Sequence, residues 1–196
     1  VIIDMASSGH GIEDGSAVLA SLRAVADPAD LALHFRAAAI AHRALGAIPP
    51  GETDANAVVA AIDGEARRLG AEEAYPALAV DLERSLNLVR LDGAARLGAL
   101  SAIRLSVAYK GAWVRITRTL ARDEALAARI ATAAEYLSSA VASLPNTDAI
   151  ASCRTWLIEG TRTTAPLEPL AGRMIDDAVA LVPGSLVNVQ ATFEID

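Results

Sequence analysis

Aromatic residues and cysteine are scarce in this chain. Phe, Trp and Tyr make up 4% of its 196 residues, so the core is expected to consist mainly of Ala, Leu, Val and Ile. The single cysteine, Cys153, cannot form a disulfide within the chain, which suits a reducing compartment. No segment reaches the roughly 18 apolar residues that span a bilayer, and the first residues lack the pattern of an export signal. We therefore expect a cytoplasmic protein without a membrane partner.

Positive charge is also in short supply. The chain has 17 Lys and Arg residues against 24 Asp and Glu residues, which gives a net charge of −7, and the basic residues form no stripe. Such a surface repels a phosphate backbone, so nucleic-acid binding is not expected. The apolar content of 53% argues against disorder. We predict one domain over 22–196, preceded by 1–21 as a lead-in or the end of an upstream domain.

Helical periodicity is visible in several segments. The first of them opens with Asp27-Pro28, a capping residue followed by a proline at the first helical position. Thr53 can cap a second helix that stops at Gly70, and Asp123 can cap a third. Helices are predicted over 27–45, 53–69, 123–144 and 170–181.

Other stretches are short, rich in Leu, Val and Ile, and separated by turn residues, which is typical of strands. Strands are predicted over 77–82, 87–91, 103–108, 155–158 and 186–195. Tyr109-Lys110-Gly111 fits a tight turn, and the strand that follows it would place Trp113 and Arg115 on one face. Helices and strands in this order predict an α+β fold with mostly antiparallel pairing.

Four segments together carry a resemblance to a known family. LRAVADPADLALHFRAAAIAHRAL (22–45) and PPGETDANAVVAAIDGEARRLGAEE (49–73) are similar to its first two helices and the turn between them. RLSVAYKGAWVRITRT (104–119) is similar to a metal-bearing hairpin, and VPGSLVNVQATFEI (182–195) to a strand near the family's end. In this order they resemble the catalytic domain of the creatinase, prolidase and methionine-aminopeptidase family. The resemblance implies the pita-bread fold, a curved, mostly antiparallel sheet with helices on its outer face.

The hairpin departs from the family at its metal ligands. In the family this hairpin carries two aspartates, which hold a dinuclear metal site together with a histidine and two glutamates. An ungapped count from Thr117-Arg118-Thr119 puts Arg104 and Arg115 at the two aspartate positions. Two guanidinium cations oppose the binding of a divalent ion, so we predict no metal and no cofactor.

Other ligand positions of the family are altered as well. The glutamate of its last-strand motif corresponds to Gln190, an amide that has lost the charge. The family's His-Glu-Pro is matched only by Leu167-Glu168-Pro169, and counting from there puts a ligand histidine near Gly160. The resemblance therefore implies candidate ligand-binding residues at the former metal site and beside it: Arg104, Ser106, Trp113, Arg115, Thr117, Gly160 and Gln190.

The histidines and the cysteine are separate candidates for chemistry. His10 lies ahead of the first helix, where a polar turn is its commoner role. His34 and His42 could share a face of that helix, but no cysteine or carboxylate cluster accompanies them in the sequence. Cys153 precedes Arg154, whose charge could activate the thiol, although a buried and unreactive cysteine is the commoner case.

Two functions stay open on the sequence. The first is a metal-free pseudo-enzyme domain that binds a peptide, a small acid or a partner protein. A basic pocket at Arg104 and Arg115 would grip the carboxylate. The second is an enzyme that acts on a carbon–nitrogen bond, like a creatinase or an Xaa-Pro peptidase, with His10, His34 or His42 as its base. The resemblance and the alanine-rich helices also lead us to expect a homodimer.

Overall fold

A computed structural model of the chain describes residues 18, 22–144, 146, 148–151, 153–160 and 183–194. Its elements are, in order, α1 Pro28–Leu45, α2 Ala55–Arg68, β1 Glu73–Ala79, β2 Leu100–Tyr109, β3 Ala112–Ala121, α3 Glu124–Ala142, α4 Asp148–Ala151, β4 Thr155–Gly160 and β5 Val187–Thr192. The strands form two antiparallel sheets, β1-β2-β3 and β4-β5. The predicted α+β class is therefore confirmed for the described residues.

The start of α1 is stabilised by a capping box. Asp27 Oδ1 accepts a hydrogen bond from the Asp30 amide at 2.8 Å, and Asp30 Oδ2 accepts one from the Asp27 amide at 3.3 Å. Two amide groups that have no partner within the helix are satisfied in this way. Pro28 follows the cap at a position where a missing N–H costs nothing. The first predicted helix is confirmed to within one residue.

The second helix has the predicted stop and a different cap. Gly70 has a φ of 98°, and its amide donates to the Arg67 carbonyl at 2.9 Å, which closes α2. The predicted cap at Thr53 is wrong, because Asp54 Oδ1 accepts from the Asn56 amide at 2.8 Å. The Thr53 hydroxyl instead accepts from Arg96 Nη2 at 3.0 Å. The aspartate one residue later thus supplies the cap.

The three-stranded sheet is centred on β2. β1 pairs with it from Glu73↔Ala108 to Ala79↔Ala102, so the first strand lies four residues earlier at its start than predicted. Pro76 is tolerated in β1 because the strand lies at an edge of this sheet. The strand predicted over 87–91 is wrong. Only Val89 pairs there, with Leu78, and its side chain is 55% exposed, so the segment has no buried face to hold it in a ladder.

The turn between β2 and β3 is a two-residue hairpin loop. Tyr109 pairs with Ala112, and Lys110 and Gly111 between them have φ values of 48° and 79°. Two successive positive φ values are the mark of a type I′ turn, whose twist matches that of the flanking strands. The predicted hairpin is confirmed, and it sets the register of the residue pairs between β2 and β3.

The main core lies between the sheet and the first two helices. β2 contributes Ile103, Leu105 and Val107, each with no measurable exposed surface. They pack with buried residues of both helices, among them Ile40 of α1 and Ile62 of α2. We call this side of the sheet the helix face. Because side chains alternate along a strand, the residues between these three point to the opposite side.

The C-terminal half carries a smaller cluster of buried residues. Ala140 of α3 and Ile150 of α4 pack together, with Val187 and Val189 of β5 against them. Asp123 caps α3 by accepting from the Leu126 amide at 3.0 Å, as predicted. The helix predicted over 170–181 lies outside the described residues. A bilayer-spanning segment is not found among the helices of the described residues.

Candidate binding face

Five of the sequence-predicted site residues lie on one side of the three-stranded sheet. Arg104 and Ser106 alternate with the buried residues of β2, and their partners on β3 are Thr117 and Arg115 respectively. Directly paired residues of an antiparallel sheet share a face, so all four side chains lie on the side opposite α1 and α2. Trp113 follows in the same alternation. We call this side of the sheet the site face.

The two arginines are diagonal neighbours across β2 and β3. Arg104 pairs with Thr117, and Arg115 lies two residues before that partner, which places the two arginines about 7–8 Å apart along the diagonal. Arg115 Nε lies 3.4 Å from the hydroxyl oxygen of Ser106, to which it donates. The Nε atom of Arg104 is buried. Since a guanidinium group does not lose its charge in a protein, the site face carries two permanent cations on adjacent strands.

Small side chains surround the arginines. Ala77 of β1 is paired with Arg104 and is 1% exposed, and Ala102 and Ala108 flank the arginine and serine positions along β2. Ser106 is 3% exposed. The low exposure of these small side chains means that other atoms of the protein cover this part of the site face.

An aromatic stack closes one end of the site face. The rings of Tyr75 and Trp113 lie 5.8 Å apart and almost parallel, at 2°. The Arg90 guanidinium lies 4.4 Å from the centre of the Tyr75 ring, and the Tyr75 hydroxyl donates to Glu73 Oε2 at 2.9 Å. That hydrogen bond raises the pKa of Tyr75 above its ordinary value. The stack holds Trp113 beside Arg115 through ring and cation–π contacts.

Tyr75 and Arg90 were not predicted as part of the site. β1 was expected to begin at 77, which left Tyr75 outside any strand, and Arg90 belongs to the segment wrongly predicted as a strand. The pairing of Tyr75 with Ser106 is what brings it over β2 toward Trp113. Alternation counted from Glu73 would have placed Tyr75 on the same face as Ala77 and Ala79. It would not have identified Trp113 of β3 as the neighbour of Tyr75.

The second sheet supplies the remaining two candidates. Gln190 of β5 reaches the site face, where its Oε1 accepts from the Thr117 hydroxyl at 3.2 Å. Gly160 pairs with Val187, and Gln190 pairs with Leu157. Three residues of extended strand separate these two pairs, which is about 10 Å. Gly160 therefore lies on the same sheet as Gln190 but away from its contact with Thr117.

The histidines in the described residues belong to the other side of the sheet. His34 is 9% exposed and its Nδ1 lies 2.8 Å from the Asp30 carbonyl oxygen in the same helix. His42 is exposed near the end of α1. Because α1 packs on the helix face, neither imidazole shares the side of Arg104 and Arg115. His10 lies outside the described residues.

The donor set on the site face does not suit a divalent ion. Arg104 and Arg115 stand where the resemblance puts two aspartates, and guanidinium groups offer no lone pair to a metal. Ser106, Thr117 and Gln190 offer neutral oxygens only. Over the part of the chain that the structure describes, no group of three or more His, Cys, Asp and Glu side chains could hold a metal ion. Among the described side chains, the site face thus offers guanidinium cations and neutral polar groups.

Comparisons with known proteins find partial likenesses. No protein-family model matches the chain, and neither does any curated protein. The prolidase from Pyrococcus furiosus is similar over 53% of this chain and 35% of its own, with 25% identity and a TM-score of 0.46. X-Pro aminopeptidase from Thermotoga maritima MSB8 is similar over 63% of this chain and 38% of its own, with 20% identity and a TM-score of 0.49. The chain thus spans less than two-fifths of either protein, and with both TM-scores below 0.5 these likenesses do not assign it to a family.

Proposed function

We propose that the chain is a domain of the creatinase and prolidase type with the pita-bread fold, which lacks a metal centre and binds an acidic group. The ligand would be a peptide, a small acid or an acidic segment of a partner protein. The observation that carries the proposal is the placement of Arg104 and Arg115 on adjacent strands of one sheet face. These are the positions at which the resemblance expects the metal-binding aspartates.

The chemistry of the site face supports a carboxylate as the recognised group. A planar guanidinium can donate two parallel hydrogen bonds to a carboxylate, and such charge-assisted pairs are about twice as strong as neutral ones. Arg115 Nε is directed at Ser106, which orients the group, and Thr117 and Gln190 add neutral polar atoms beside it. The aromatic stack at Trp113 offers an apolar surface for the rest of the ligand.

The competing function, an enzyme that acts on a carbon–nitrogen bond, lacks a supporting observation on the described residues. Such an enzyme needs a general base within hydrogen-bond reach of its substrate. His34 and His42 lie with α1 on the helix face. On the site face of the three-stranded sheet, the described residues with an ionisable carboxylate are limited to Glu73, which is exposed and bonded to Tyr75. We therefore do not propose this activity.

A peptide-binding titration tests the proposal. A tetrapeptide of four glutamates would be compared with one of four glutamines, using isothermal calorimetry on the full chain. We expect the acidic peptide to bind more tightly, and Arg115→Gln to weaken its binding at least about tenfold, because a hydrogen bond to a charged group contributes roughly 1.5–3 kcal/mol. Arg104→Gln should act in the same direction. Arg129→Gln is the matched control, since Arg129 is exposed on α3.

Two results would contradict the proposal. One is equal affinity for the glutamate and glutamine peptides, and the other is unchanged affinity in a folded Arg115→Gln variant. Circular dichroism of each variant separates lost binding from lost structure. This separation matters most for Arg104, whose Nε is buried.

Metal content tests the absence of a metal centre independently. Protein purified without a chelator would be analysed for metals, then incubated with manganese, cobalt and zinc and analysed again. With arginines in place of carboxylates, we expect well under about one-tenth of an equivalent throughout. Near-stoichiometric metal would overturn the assignment of lost ligands and favour a metallohydrolase.

A further inference from the structure

A cavity of about 520 Å³ lies on the helix face, away from the site face. It is bounded by the end of α1, the Pro49-Pro50-Gly51 turn, the loop before β2 and the end of β3. Its volume falls within the roughly 300–1,000 Å³ that is usual for small-molecule sites. Most of its wall is apolar, with Ile48, Leu97 and Leu120 among the lining side chains.

Two arginines supply the positive charge of this cavity. Arg118 of β3 donates through Nη1 to the Leu45 carbonyl at 3.3 Å, and Arg122 donates through Nη2 to the Leu97 carbonyl at 2.6 Å. These bonds hold each guanidinium in place against the backbone. A guanidinium has five N–H groups, so each retains donors for a ligand. Four residues of extended chain put their Cα atoms about 13 Å apart, which gives two points of attachment along one wall.

The carboxylate that also lines the cavity does not offset these charges fully. Glu52 Oε1 accepts hydrogen bonds from the Thr53 amide at 2.7 Å and the Asp54 amide at 2.8 Å. Its charge is therefore engaged with the backbone ahead of α2. The cavity thus has two cationic side chains, Arg118 and Arg122, and one carboxylate, Glu52, which is hydrogen-bonded to the backbone. This balance favours an anionic ligand, although the chain as a whole has a net charge of −7.

We propose that this cavity binds a small carboxylic acid with an apolar body. Its carboxylate pairs with Arg118 or Arg122, and its hydrocarbon part contacts the leucine and isoleucine side chains of the wall. Ser101 is 2% exposed and adds a hydroxyl to the lining. The site is independent of the proposed function, because the side chains of Arg104 and Arg115 lie across the sheet.

Ligand-detected NMR with hexanoate tests the proposal on the full chain. Hexanol and hexylamine have the same apolar body with no charge or a positive one, and they serve as ligand controls. We expect hexanoate to bind and both controls to bind at least about tenfold more weakly, since charge-assisted bonds to the guanidinium groups are lost. The double variant R118Q/R122Q should also weaken hexanoate binding about tenfold or more.

The variants separate a loss of hexanoate binding from a loss of folded structure. Both arginines donate to backbone carbonyls, and Arg118 does so to the end of α1, so its loss can lower stability. Arg122 is exposed, so Arg122→Gln alone should keep the fold, and it should still weaken hexanoate binding measurably. Arg129→Gln, on α3, should leave the affinity unchanged. Absence of hexanoate binding, equal binding of hexanol, or unchanged affinity in a folded Arg122→Gln variant would overturn the proposal. Loss of binding in Arg115→Gln would place the acid on the site face instead.

Discussion

The reactivity of Cys153 is decided by the groups around its sulfur atom. Its Sγ lies 4.0 Å from the Ala149 carbonyl oxygen, and burial raises the pKa of the thiol. Arg154, the residue that could have activated it, pairs with Glu194 at 2.7 Å. The thiolate is the reactive form, and a raised pKa keeps it scarce at neutral pH. The structure thus favours the unreactive cysteine.

A labelling experiment checks this prediction for Cys153. As the chain's single cysteine, it reports without interference when a thiol reagent is followed by mass spectrometry. We expect labelling of the folded protein at pH 7 to be slower than labelling of the urea-unfolded chain, and to accelerate only at more alkaline pH than for the unfolded chain. Faster labelling of the folded protein at pH 7 would point to an activated thiol.

Single residues of the site face could be predicted only in part. The alternation along β3 correctly put Trp113 and Arg115 on one side, because a two-residue period is a local property. The contact between Thr117 and Gln190 joins positions 73 residues apart, and no local pattern encodes it. A ligand role for these residues stays a prediction until the binding experiment is done.

At the scale of the element, the β2–β3 turn contains a strained position. Lys110 has a φ of 48°, a region that costs most L-residues roughly 1–2 kcal/mol and that asparagine tolerates better. Its Nζ lies 5.8 Å from the centre of the Tyr109 ring, an exposed cation–π contact that contributes roughly 0.5–1 kcal/mol. The strain outweighs the contact, so Lys110→Asn should stabilise the protein by about 0.5 kcal/mol.

Urea denaturation measures this change in the free energy of unfolding. Lys110→Ala is the matched control, because it loses the cation–π contact and keeps the unfavourable φ, and it should be destabilising. If Lys110→Asn were no more stable than Lys110→Ala, relief of strain at this turn would be contradicted.

Elements with local signals were predicted well, and those that depend on distant partners were not. The caps at Asp27 and Asp123 and the stop at Gly70 are decided by residues within one turn of the helix end. The limits of β1 depend instead on its pairing with β2, about 30 residues away along the chain. α4 has only four residues, which is too short for any periodicity to appear.

On the scale of the whole molecule, the sheet separates two environments. Its helix face carries the main core, and its site face carries two arginines among small side chains. Both faces depend on β2, because its alternate residues supply the core on one side and Arg104 and Ser106 on the other. One strand thus supplies both core residues and residues of the candidate site. A substitution on the helix face of β2 can therefore change the positions of Arg104 and Ser106 on the site face.

Ile103→Ala tests how far the fold depends on that core. Ile103 has no measurable exposed surface, and Ile-to-Ala changes in cores cost roughly 2–5 kcal/mol. Total stabilities are only about 5–15 kcal/mol, so urea or thermal unfolding should show a large loss. Val89→Ala is the matched control, because Val89 is 55% exposed and the change should cost less than about 0.5 kcal/mol. Similar losses for the two variants would mean that the helix face is not the main core, and the two-faced arrangement of the sheet would have to be abandoned.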